Sequence, residues 1–84
     1  MNTEESFGRV AGILSAMFGI DEASVTREMT ADDMPSWDSI THVYVILEIE
    51  RLLGLCLDTE AVFALENVGD LADLVARSSQ AKPA

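Results

Sequence analysis

Between residues 4 and 18 the apolar set that reads as one face is Phe7, Val10, Ala11, Leu14, Met17 and Phe18. Spacings of three, one, three, three and one trace a single helical stripe. Asn2 or Thr3 can cap this helix, with Glu4 and Glu5 in the first turn, where the helix dipole favours acids. Gly19 supplies a left-handed residue to end it, and Ile20 can fold back onto Leu14.

The pattern then lapses. Residues 21–37 read as a long loop, with Asp32-Asp33 and Pro35 near its end and Val25 and Met29 as pins to the core. A connection of this length is uncommon in a small domain unless it has a task. Pro35 disfavours helix at Met34, and Asp38 is a good N-cap, so a second helix is expected from Asp38 or Ser39. Ile40, Val43, Ile46, Leu47, Leu52 and Leu53 continue it, Val45 and Ile49 widen the apolar face, and Gly54 stops it. Residues 43–47 are rich in β-branched and aromatic types, but the periodic segment spans a helical length and decides against a strand. A short helix follows Asp58 or Thr59, using Ala61, Val62 and Leu65. Asn67 caps a last helix with Val68, Leu71, Ala72, Leu74 and Val75 inward, fading by Ser78.

These segments predict an all-α, four-helix bundle with a short third helix and a long first loop. The 84 residues fit one domain, taken as 1–78, with 79–84 as a flexible tail. A chain this short buries only about 60% of its unfolded surface, which leaves no room for a deep substrate cavity. Function is expected on the surface, or on something attached to it.

Fifteen acidic residues against five basic ones give a net charge of −10. Residues 1–33 and 34–84 each carry −5, so the whole body is acidic rather than one tail. Such a polyanion repels nucleic acid and anionic membranes and attracts basic protein surfaces. The single Cys56 excludes an internal disulfide framework and fits a reducing compartment. No apolar run approaches the ~20 residues needed to span a bilayer, and the acidic N-terminus is no signal peptide. A cytoplasmic monomer whose partners are proteins is the expectation.

Candidate chemistry centres on Met34-Pro35-Ser36-Trp37-Asp38-Ser39-Ile40, a serine opening a helix just after a long loop. Asp-Ser-Ile in this place resembles the phosphopantetheine attachment site of acyl carrier proteins. The resemblance runs from Asp32 to Val75: loop, Asp-Ser-Ile, amphipathic helix, Gly54, short helix and Asn67-Val68-Gly69-Asp70-Leu71. Trp37-Asp38-Ser39-Ile40-Thr41-His42-Val43 is similar to free-standing bacterial carriers outside primary fatty acid synthesis. It implies a non-catalytic carrier with 4′-phosphopantetheine, from coenzyme A, on Ser39, and a cargo held as a thioester. Cys56 is not that thiol. Asp38 and Ile40 would belong to the surface gripped by a phosphopantetheinyl transferase. The exposed face of the second helix would dock acyl-activating, acyltransferase or synthase enzymes. Fatty acid synthase carriers place several acids on that face, whereas residues 39–53 here hold only Glu48, Glu50 and Arg51. Thr41, Tyr44, Leu47 and Arg51 are expected to point outward. Specialised lipid or polyketide biosynthesis is the expected setting. An aminoacyl carrier of the D-alanyl kind, or an acidic helical adaptor without cofactor, is the alternative. Opening on Met1 without a flanking linker, the chain reads as free-standing.

The plainer readings of the same residues are structural. Ser39 could merely add a second cap beside Asp38. Asp38, Ser39 and His42 have the residue types of a hydrolase triad, but proximity in sequence is not triad geometry and no Gly-x-Ser-x-Gly elbow is present. His42 reads as an exposed helix residue, Trp37 as a plug for the loop and Cys56 as a half-buried small hydrophobe. Asp32, Asp33 and Asp38 lack the glycine and terminal glutamate of a calcium loop, so no metal site is expected.

Overall fold

A computed structural model describes residues 2–34 and 37–80. Pro35 and Ser36, which the motif includes, and tail residues 81–84 lie outside them. Four α-helices follow one another: α1 (Thr3–Phe18), α2 (Ser39–Leu53), the short α3 (Thr59–Phe63) and α4 (Val68–Gln80). No strand occurs among the described residues. The all-α bundle is as expected, and α4 continues to Gln80 rather than fading at Ser78.

Helix α1 begins where Asn2 accepts from the Glu5 N–H at 2.7 Å and ends at Gly19, whose φ of 68° is open to glycine at little cost. It packs chiefly along α4 and then along α2. Val10, Ala11 and Leu14 are buried as the stripe requires. Ile13, outside that stripe, is buried too, while Met17 is exposed. The fully buried Ser6 lies on the same face, and its hydroxyl donates to the Ala72 carbonyl of α4, so the polar group is satisfied inside the core.

On α4 the buried set is Val68, Leu71, Ala72, Leu74, Val75 and Ala76, and the expected inward residues are all in it. Helix α2 departs from expectation only in part. Val45, Ile46 and Ile49 are buried and Tyr44, Leu47 and Arg51 point outward as expected, but Ile40, Val43 and Leu52 are exposed as well. At 3.6 residues per turn, His42, Val45, Ile46, Ile49 and Leu53 share one side, and Ile40, Val43, Tyr44, Leu47 and Arg51 share the other. The helix is apolar on both, and only the first packs inward.

Candidate functional site

The long connection between α1 and α2 is fastened down at several of its described residues. It contains two 3₁₀ turns, Glu22–Ser24 and Ala31–Asp33. Val25 and Met34 are buried, and Met29 is half-buried against the same core. Its backbone also meets the start of α4, whose first N–H groups have no partner within the helix. The Val68 N–H donates to the Met29 carbonyl and the Gly69 N–H to the Arg27 carbonyl, both at 2.8 Å. Arg27 adds an ion pair to Asp73 at 2.9 Å. These contacts hold residues 25–34 against the core and against α4.

Trp37 packs half-buried, stacked on Phe18 at 5.2 Å and on His42 at 5.9 Å between ring centroids. Its indole N–H donates to His42 Nδ1 at 3.2 Å. Because an indole nitrogen only donates, Nδ1 must be the acceptor and the His42 proton sits on Nε2. That Nε2–H donates in turn to the Val62 carbonyl of α3 at 3.0 Å. His42 is therefore not the exposed helix residue its spacing predicts. It bridges α2 to α3, and Phe63 continues the aromatic row beyond it at 6.4 Å.

On this base stand the residues of the motif. Asp38 is the N-cap of α2 and accepts from the Thr41 N–H at 2.9 Å. That hydrogen bond holds its carboxyl below the usual range. Ser39, the first helical residue, is exposed at the positive end of the helix dipole. Both nitrogens of His42 are engaged elsewhere, so neither is free to serve Ser39 as a base. The triad reading fails on that geometry. Among the described residues no group of three or more His, Cys, Asp or Glu could hold a metal.

Ile40, Tyr44, Leu47 and Arg51 follow on one outer face, with Ile40 66%, Tyr44 61% and Leu47 53% exposed. Arg51 is paired with Glu48 at 2.7 Å, and their hydrogen bond lowers the Glu48 pKa and raises that of Arg51. The outer face thus presents apolar groups beside a neutralised ion pair. Cys56 is exposed rather than half-buried, since Leu55 and Leu57 on either side take the inward positions. The sequence reading missed Phe63, 67% exposed on α3 and close to Ser39 across a groove. A five-residue helix has too little pattern to show its facing.

No protein-family model matches the chain. A curated relative, an acyl carrier protein from Thermotoga maritima, is 31% identical over 72 residues, covering 86% of this chain and 89% of its own. One from Lactobacillus johnsonii is 25% identical over 75 residues, covering 89% and 94%. Among solved structures, the holo acyl carrier protein from Geobacter metallireducens superposes with a TM-score of 0.81 at 32% identity, covering 92% of this chain and 88% of that one. The acyl carrier protein from Enterococcus faecalis gives 0.72 at 31% identity, covering 93% and 99%. Among the described residues no helix is long and apolar enough to cross a membrane.

Proposed function

The chain belongs to the acyl carrier protein family, a family of non-catalytic carriers, and on that premise we propose that Ser39 bears a 4′-phosphopantetheine arm. The observation that carries this reading is the placement of Ser39: exposed, at the first turn of a helix whose start is fixed by Asp38. Bound there, the arm supplies a thiol that holds acyl groups as thioesters. The residues present suit it. A phosphodiester on Ser39 Oγ would stand at the N-terminus of α2, where free backbone N–H groups favour an anion by ~0.3–1 kcal/mol. The Ser39 proton would leave to a base of the phosphopantetheinyl transferase, because His42 is already engaged on both sides.

The setting we propose is specialised lipid or polyketide biosynthesis in the cytoplasm, with the chain acting as a monomer. Its support is the outer face of α2, where Ile40, Tyr44 and Leu47 stand exposed and Arg51 is paired with Glu48. Partner enzymes would then be selected by apolar contact more than by acids on this helix.

Incubation with coenzyme A and a broad transferase tests the first claim by intact mass. Wild type should gain one phosphopantetheine, and Ser39→Ala should gain none while keeping its helical circular dichroism. Modification of Ser39→Ala, or no modification of wild type by several transferases, would overturn the assignment.

A further inference from the structure

Trp37 stands one residue before the cap of α2, and His42 stands four residues after that cap. Side chains at these two places commonly close over a helix's first turn by hydrophobic packing and fix the angle at which the chain enters. Here the closure is also a hydrogen bond, from the indole N–H to His42 Nδ1 at 3.2 Å, with the rings stacked at 5.9 Å. Ser39 lies inside the span it closes. The same imidazole is tied to α3 through its Nε2–H and the Val62 carbonyl, and Trp37 leans on Phe18 of α1.

The two bonds respond differently to a proton. Nδ1 accepts only while it is bare. Protonated, it becomes a donor facing the indole N–H, which has nothing to accept with. The Nε2–H bond to Val62 survives, because the charged ring still donates there. We propose that His42 is a positioning residue for the loading of Ser39: neutral, it holds Trp37 and with it the entry to α2, and a proton on Nδ1 releases Trp37 and slows loading. The proposal rests on the carrier reading above. In loading, Ser39 Oγ bonds to the phosphopantetheinyl phosphorus of coenzyme A, the bond to the nucleotide phosphate breaks, and the Ser39 proton leaves to the transferase. Histidine is the side chain whose charge ordinarily changes between about pH 5 and 8, which sets the range to search. Asp38 borders the hollow on the outer side of the ring and Glu66 the one on its inner side, with no Lys or Arg in either lining. The residues of α3 and α4 that share these linings, Val62, Phe63, Val68 and Leu71, carry no charge. The Thr41 N–H holds the Asp38 carboxyl below the usual range, so the cap stays ionised while His42 is titrated.

Two readouts on the apo protein test this. In a nuclear magnetic resonance titration from about pH 8 to about pH 5.5, the Trp37 indole N–H should shift in step with the His42 ring. It should also exchange faster with water once the ring is charged. A transferase then loads wild type and His42→Gln from coenzyme A at each pH, and the ratio of their kcat/KM values cancels the transferase's own pH dependence. Glutamine offers an acceptor and a donor without a proton to gain. The ratio should fall about three- to tenfold from the alkaline to the acid end, the worth of one hydrogen bond. The ratio against Trp37→Phe, which keeps an aromatic ring but has no indole N–H, should fall likewise, and it is the reference if His42→Gln does not fold. An indole N–H that ignores the His42 titration, or a ratio constant across the range, would overturn the proposal. Failure of wild type to load at any pH with several transferases overturns the carrier reading and this proposal with it, whereas loading with a constant ratio overturns this proposal alone.

Discussion

Helices α2 and α4 are similar in length and dissimilar in how they spend their apolar residues. Val68, Leu71, Ala72, Leu74, Val75 and Ala76 of α4 are all buried, and its Asp73 and Arg77 are left for the surface. Helix α2 buries Val45, Ile46 and Ile49 and leaves Ile40, Val43, Tyr44, Leu47 and Leu52 outside. One helix has the composition its packing needs. The other has more apolar surface than the core can use, on the side that follows Ser39. An excess of that kind on one element of a strongly acidic protein fits the docking surface proposed above.

The largest effects should come from the buried sides, where the two helices are alike. Ile49 and Leu71 are both fully buried. Ile49→Ala and Leu71→Ala should each cost about 2–5 kcal/mol in urea denaturation, through lost burial and the cavity left behind. Leu47→Ala, two residues away on the outer face, should stay within about 0.5 kcal/mol. A Leu47→Ala cost equal to that of Ile49→Ala would mean that α2 has no spare face.

Tyr44 sharpens the contrast from the functional side. In docking to a cognate enzyme, Tyr44→Ala should weaken affinity by about 1–2 kcal/mol with helicity unchanged, as for an aromatic anchor. A fatty acid synthase acyltransferase should load wild type poorly and be indifferent to the substitution. Equal loading by both enzymes, unaffected by Tyr44→Ala, would remove the support for a specialised surface.

The legibility of the sequence follows the same division. Helices α1 and α4 alternate polar and apolar residues with a clear period, so the inward face of α4 could be read directly and that of α1 except at Ile13 and Met17. Helix α2 carries apolar residues around most of its circumference, so the period located the helix and the outward Tyr44 and Leu47 but not the exposure of Ile40, Val43 and Leu52. The Asp38-Ser39-Ile40 motif was legible because a cap, an exposed hydroxyl and a helix start are local features. What surrounds it was not. The His42 bridge to Val62 spans twenty residues, and it depends on a backbone carbonyl that no side-chain pattern records. The clasp of Arg27 and Met29 carbonyls on α4 is hidden for the same reason.

That clasp predicts opposite outcomes for one substitution at two glycines. A Cβ on Gly69 would lie 3.1 Å from the Arg27 carbonyl oxygen, which is itself held by the Gly69 N–H. On Gly8, in the middle of α1, a Cβ meets nothing within 4 Å. Gly8→Ala should therefore raise stability by about 0.5–1 kcal/mol through helix propensity. Gly69→Ala should lower it by about 1 kcal/mol, because the backbone contact must open. Thermal melts of the two variants give the signs, and a gain in both would show that the loop yields freely.

The smallest expected effect concerns how the two helices begin. Asp38 caps α2 with a carboxylate that accepts from the Thr41 N–H, whereas Asn67 caps α4 with a neutral amide oxygen that accepts from the Asp70 N–H at 2.8 Å. The Asp38 pKa is lowered in the folded protein, chiefly by the Thr41 backbone hydrogen bond. A group with a lowered folded pKa contributes its full stability above the unfolded value and loses it as pH falls through the folded one. Acidification below the usual carboxylate range should therefore loosen the start of α2, while the Asn67 cap has no proton to gain. Amide exchange reads this locally: protection at Thr41 should fall with pH more steeply than at Leu71. In Asp38→Asn the excess pH dependence at Thr41 should vanish with the titrating group. Parallel loss at both amides in wild type, unchanged in Asp38→Asn, would mean that acid acts on the whole fold and that the presentation of Ser39 does not depend on the charge of its cap.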